Sequence, residues 1–344
     1  MTHRSLWLLS LFFACSATVK PPSPDAAGLP GDAATMAGPS LCIDDDQSAQ
    51  NDLSGYTGLI AFTLRDSAGH LQIFTARLDG SQKTQLTFDG DNGRPDWSPD
   101  GRRIAFNSIR NQRLWTGIMN ADGSQPQLVA ADSQAPDWSP DGTRIAFSRA
   151  GDIFTMNSDG SAETQITHGG RLRAGPSWSP DGRQMVFIVV QNPSSSNDPK
   201  PTIGIMNADG TEERILTSAD RTNVCAQPDG TVMTIETAHD ANAPAWSPVD
   251  DRIAFWSGIE SQYGQVWTIH ADGSGSEQLT EQTQHRNSDD PSWSPDGKKI
   301  LFGTGRSGLD ELWVMDADGS HEMRLFPMDA APFPGRAAWQ PAQR

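Results

Sequence analysis

The chain has 344 residues, of which 36% are hydrophobic and 20% charged, a balance that excludes wholesale disorder; 32 Gly and 24 Pro suit many short strands joined by tight turns. Its 26 basic and 43 acidic residues leave a net charge of −17 without a Lys/Arg cluster, so its field repels nucleic acid and anionic lipid surfaces and argues against both as partners. A basic partner is favoured electrostatically, although charge of this size also serves solubility alone.

Residues 1–15 read as an export signal. His3 and Arg4 give a weakly basic start, residues 6–13 an apolar run, and Ala14 a small residue ahead of Cys15. The run is far short of the roughly 20 residues a helix needs to cross a bilayer. The segment resembles a bacterial lipoprotein signal, which implies cleavage before Cys15 and acylation of its thiol; ordinary cleavage nearby is the alternative. By the same resemblance Ser16 favours passage to the outer membrane. Residues 16–54 are rich in Pro, Ala, Gly, Ser and Asp, lack any helical or alternating apolar period, and are expected to form a disordered linker. With Cys15 consumed by processing, Cys42 and Cys225 remain as an even pair in an oxidising compartment, and a disulfide between them is expected; two separate free thiols are the alternative.

From residue 55 to 341 one unit recurs. Trp-Ser-Pro-Asp-Gly or a near copy stands at Trp97, Trp138, Trp178, Trp246 and Trp293, with a truncated echo at Trp339-Gln340-Pro341. The spacings are 41, 40, 68, 47 and 46 residues, and periods of roughly 40 to 50 belong to stacked units such as propeller blades. Each unit reads as four antiparallel strands. The strand after the tryptophan turn carries a buried-type triplet, from Ile60-Ala61-Phe62 through Ile104-Ala105-Phe106 to Ile300-Leu301-Phe302, as expected of a sheet covered on both faces. Asp-Gly pairs such as Asp79-Gly80 and Asp122-Gly123 supply tight turns, and turn chemistry accounts for their acidity without calcium. The tryptophans fill volume between blades, and Phe74, Phe154, Trp267 and Trp313 repeat at a second register with the same role.

The first unit lacks a tryptophan strand and the last segment supplies one. The expected fold is therefore all-β: a six-bladed β-propeller of four-stranded antiparallel blades, its first blade closed by the C-terminal strand. Two insertions interrupt the repeat, at 191–202 and at 218–243; the second reads as an extra hairpin around Pro228-Asp229-Gly230 and is a natural place for a partner-specific surface.

With Pro-x-Trp-Ser-Pro-Asp-Gly-x-x-Ile-Ala-Phe followed by Ile-Met-Asn-Ala-Asp-Gly-Ser and Leu-Thr, the chain resembles the TolB-like, or WD40-like, propeller repeat family. TolB itself carries an α/β domain before its propeller, so the likeness is to the repeats and not to TolB as a whole. The resemblance implies a propeller of the bacterial cell envelope that works by binding an envelope protein, a peptide or a glycan, without nucleic acid, and meets the membrane only through an N-terminal lipid anchor. A monomer and no cofactor are expected. Soluble periplasmic or secreted protein is the alternative location.

Loops entering each tryptophan strand and loops joining second to third strands are expected on one face. That face would carry Arg94, Asp96, Asp137, Arg171, Arg173, Asp289, Asp290 and Arg336, a mixed-charge rim suited to polar or peptide recognition. Some related propellers are metal-dependent polysaccharide lyases, and His168, His239 and His285 fall in loops of the same face; their local spacing is not ligand-like, so a non-catalytic binding module is the primary expectation and the lyase the alternative. No Gly-x-Ser-x-Gly elbow is present, which excludes the hydrolase chemistry that some propellers accompany.

Overall fold

Every repeat begins with an apolar strand that needs cover on both sides, and the fold supplies it by setting sheets face to face around an axis. The computed structural model describes residues 53, 55–190, 201–217, 223–226, 232–235, 241–257, 264–280, 288–305, 311–325 and 336–341. Among them lie six four-stranded antiparallel sheets and one two-stranded hairpin. Blade 2 shows the plan: Asp91–Trp97, Arg103–Arg110, Arg113–Asn120 and Gln127–Ala131, paired in chain order from the axis outward. The innermost strands of blades 2 to 6 are Asp91–Trp97, Ser133–Trp138, Leu172–Trp178, Ala241–Trp246 and Ser288–Trp293, and that of blade 1 is Ala338–Trp339. Each touches the next in cyclic order, so they line a closed central channel. The expected six-bladed all-β propeller is the fold observed.

Ser-Pro-Asp-Gly turns fix the first hairpin of blades 2, 3, 4 and 6. In blade 2 the Ser98 hydroxyl donates to Asp100 Oδ1 at 2.6 Å and accepts from Arg103 N at 2.9 Å, while Gly101, at φ +67°, supplies the left-handed turn residue. Ser139 with Asp141, Ser179 with Asp181 and Ser294 with Asp296 repeat the contact. These hydroxyls hold the carboxyls of Asp100, Asp141 and Asp181 below the usual carboxylate range. The turn acids are thus occupied by their own backbones and neighbours, the reading that needs no calcium.

Alternation decides which neighbour each triplet residue meets. Ile104, Phe106 and Trp97 of blade 2 pack with Ala61 of blade 1, and Ala105 of blade 2 packs with Ile145, Phe147 and Trp138 of blade 3. The middle residue, Ala in four blades, Val186 in blade 4 and Leu301 in blade 6, thus receives the large residues of the following blade, and among the described residues this interface recurs six times around the ring. The six phenylalanines that close the triplets are at most 1% exposed. Phe74, Phe154, Trp267 and Trp313 are the cross-strand partners of Phe62, Phe147, Phe255 and Phe302. In blade 2 the equivalent place is Gly117, where a Cβ would come within 2.5 Å of the Phe106 ring, so that ring fills the space an aromatic partner takes elsewhere.

Closure is as expected. Trp339 pairs with Ile60 and Ala338 with Ala61, and Gln340 N donates to Leu59 O at 2.8 Å. Trp339 Nε1 donates to Ser292 O of blade 6 at 3.2 Å, and the Tyr56 ring lies 5.2 Å from the Trp339 ring while its hydroxyl donates to Asp296. The insertion contains the hairpin Asn223–Ala226 with Val232–Ile235, in which Cys225 pairs with Met233. Cys15, Cys42, His239 and His285 lie outside the described residues, and of Cys225 only the strand backbone is described, so the lipidation and disulfide readings stay expectations.

Candidate functional site

Each innermost strand of blades 2 to 6 is bent by its proline. Pro95, Pro136, Pro176, Pro244 and Pro291 have no N–H to give the ladder, and a register shift brackets each of them. The residue before each proline is left-handed: Arg94, Ala135, Gly175, Ala243 and Asp290 have φ between 47° and 59°. The bulges of blades 3 and 4 are capped from the preceding blade, where Ala135 N donates to Asn107 Oδ1 and Gly175 N to Ser148 Oγ. The residue between proline and tryptophan continues the series, because Trp138 N donates to Asp96 Oδ2 at 2.8 Å and Trp178 N to Asp137 Oδ2 at 2.9 Å. These carboxylates therefore stitch blade 2 to blade 3 and blade 3 to blade 4.

The bulges also aim charge at the axis. Arg94 of blade 2 and Asp290 of blade 6 approach to 3.7 Å although blade 1 stands between them; Arg336 of blade 1 reaches past blade 2 to Asp137 of blade 3 at 3.9 Å. Pairs that skip a blade can meet only within the channel, so these groups cross it. Arg94 lies three residues into its strand, about 10 Å at roughly 3.3 Å per residue below the face where innermost strands begin. The four side chains retain 10–20% exposure, and the Nε of Arg336 is buried without a hydrogen-bond partner.

Burial dominates the electrostatics of this neck. It raises the Asp96 carboxyl against the downward pull of Arg336, and raises Asp137 further because the charge of Asp96 adds to the effect of burial. Burial and the like charge of Arg336 press the Arg94 guanidinium below its usual value, and Asp290 opposes them.

The sequence grouped eight residues into one rim, and the structure separates them. Arg94, Asp96, Asp137, Asp290 and Arg336 converge inside the channel. Arg173 is buried and serves as a clamp, 3.4 Å from Asp152 of blade 3 and 2.8 Å from Glu213 of blade 4. Arg171 is half-exposed and lies 3.2 Å from the same Glu213; Asp289 is half-buried beside Asp290. His168 is exposed, and among the described residues no group of three or more His, Cys, Asp or Glu is arranged to hold a metal ion. Sequence reasoning missed the inter-blade capping by Asp96 and Asp137, although the polar residue before Trp97, Trp138, Trp178 and Trp293 was its visible sign.

A ring of repeated four-stranded blades with charged residues turned into its axis defines a six-bladed β-propeller. Residues 95–241 match the family model of the TolB beta propeller domain. The fold resembles that of TolB from Acinetobacter baumannii, with a TM-score of 0.65 at 20% identity over 83% of this chain and 67% of that one. It also resembles a putative TolB from Agrobacterium tumefaciens, with a TM-score of 0.59 at 19% identity over 83% and 98% of the two chains. An oligogalacturonate lyase in complex with manganese shares the fold more loosely, with a TM-score of 0.51 at 14% identity over 79% and 74%. In sequence, the protein is 35% identical over 80 residues to the uncharacterized protein Atu1656 of Agrobacterium fabrum, which is 23% of this chain and only 26% of the length of that relative.

Proposed function

We propose that this protein is a non-catalytic binding scaffold of the bacterial cell envelope, which receives an envelope protein or peptide at the loop face and in the channel beneath it. The observation that carries the reading is the neck itself: four charged side chains from four blades meet across the axis and keep 10–20% of their surface exposed. A purely structural core would hold apolar groups there, since buried charge is expensive unless paired closely. The likeness to TolB propellers supports a scaffold, and the lipoprotein-type start of the sequence supports an envelope location anchored through Cys15.

Affinity capture from envelope extract tests this. The intact protein is compared with Arg94→Gln/Arg336→Gln and with Arg102→Gln/Arg183→Gln, a pair exposed on the face of the Ser-Pro-Asp-Gly turns. The channel pair is expected to lose partners that the turn-face pair keeps. Partner lists unchanged by the channel pair would overturn the reading. The lyase alternative has its own measurement: stoichiometric metal in protein purified without an affinity tag, lost on replacing His168 and His285, would put an enzyme in the scaffold's place.

A further inference from the structure

We infer that the channel neck recognises a carboxylate, carried by a slender peptide entering from the loop face and bound by the guanidinium fork of Arg336 with the charge of Arg94 beside it. The inference deepens the scaffold reading and rests on it. Its starting point is a mismatch between charge and hydrogen bonding. Arg336 is faced by Asp137, yet the two stand 3.9 Å apart and the buried Nε of Arg336 has no acceptor. A guanidinium presents its donors as a rigid fork that fits a carboxylate with two parallel bonds, and Arg336 leaves its Nε edge unused.

The acids of the neck are not free to close the gap. Asp137 Oδ2 accepts from Trp178 N and Asp96 Oδ2 from Trp138 N, so both carboxylates are fixed by the blade-to-blade stitching. They face Arg336 from a distance without filling its fork. An acceptor brought from outside would satisfy a buried donor that otherwise stays unpaired, which is where a hydrogen bond contributes most. Asp290, Arg336 and Arg94 sit on three consecutive blades, whereas the equivalent bulge positions of blades 3, 4 and 5 are Ala135, Gly175 and Ala243, which have no reach across the axis. The charged side of the neck thus faces a side built from small residues.

Depth limits the ligand. A neck about 10 Å below the face admits roughly three residues of extended peptide, not a folded surface. The net charge of −17 repels a wholly acidic ligand at long range, so a peptide with basic residues outside the channel and a carboxylate at its tip suits both fields. The carboxylate comes either from a free peptide C-terminus or from an Asp or Glu residue, and the two are separable by experiment.

Calorimetric titration of the full-length protein with three probes provides the test: acetyl-Lys-Ala-Ala with a free C-terminus, its amide, and acetyl-Lys-Ala-Glu amide. At least one carboxylate-bearing probe is expected to bind about tenfold or more tightly than the neutral amide; the free acid alone identifies a C-terminus, and the Glu amide identifies an acidic residue. Arg336→Lys keeps the charge but loses the fork, and is expected to bring the ratio close to one. Should that variant unfold by thermal melting, Arg94→Gln, away from the closing segment, removes the neighbouring charge and is expected to lower the ratio several-fold. Asp137→Asn keeps an acceptor for Trp178 N and removes a carboxyl that is pushed up to about 8, so it is expected to tighten the carboxylate probe in titrations above that pH, where Asp137 is ionised and competes for Arg336. Equal binding of all three probes, or of none, overturns the inference. If capture from envelope extract still depends on Arg94 and Arg336, the scaffold reading survives that failure; if it does not, both fall.

Discussion

Asp137 concentrates the tension in this molecule. It is buried, capped to the next blade and faced by Arg336, and its folded carboxyl is pushed up to about 8, with Asp96 up to about 6, from an ordinary value of 3.8. A raised acid binds more protons folded than unfolded, so its contribution is fully present below the unfolded value and is lost as pH rises through the folded one. The turn acids such as Asp100 and Asp141 work in the opposite sense, since their lowered values weaken the fold only as pH falls through the acid range. Asp137→Asn removes the loss that Asp137 contributes as pH rises from 3.8 to about 8. Urea denaturation at pH 5, 7 and 9 is expected to show the variant gaining on the parent as pH rises; a variant that loses ground towards pH 9 would show that the ionised carboxylate stabilises the ring.

At the scale of the element, the strand Ala338–Trp339 has only two paired residues but completes a sheet, covers Ile60 and Phe62, and brings Trp339 to the seam with blade 6. Its deletion removes a buried tryptophan, worth about 3–5 kcal/mol, and leaves an open sheet edge. Truncating residues 327–344 is expected to lower the melting temperature by about 10 °C or more, or to prevent folding. An unchanged melt would mean that the ring does not depend on its clasp. This strand, the triplets and the turns were legible in the sequence because each is a local pattern repeated at blade spacing. The neck was legible only as a set of residue types. Arg94 with Asp290, and Arg336 with Asp137, pair between repeats that are distant in the sequence and not adjacent in the ring, and no local period encodes such contacts. Arg173 was indistinguishable from them by position, yet its neighbours Asp152 and Glu213 turn it into a clamp.

Over the whole molecule, acidic excess and a tightly stacked ring act on stability with opposite signs. Guanidiniums lie over tryptophans of the next blade, with Arg103 4.6 Å from the Trp138 ring and Arg144 and Arg252 about as close to Trp178 and Trp293. Such contacts are partly buried and little screened, while the repulsion among surface acids is strongly screened. Raising salt from low ionic strength to about 0.15 M, where the Debye length is about 8 Å, is therefore expected to raise the melting temperature by a few degrees. A fall would show that exposed ion pairs, and not the stacked interior, hold the blades together.

The skipped-blade pairs have one more effect. Because Arg94 meets Asp290 over blade 1, and Arg336 meets Asp137 over blade 2, each acts as a strap whose length suits one circumference only. The first strap passes the blade where the first and last strands meet, and Arg336 of the second belongs to the very segment that fastens them. Whatever grips Arg336 from the channel thereby also grips the buckle, so occupancy and integrity of the ring are two readings of a single equilibrium.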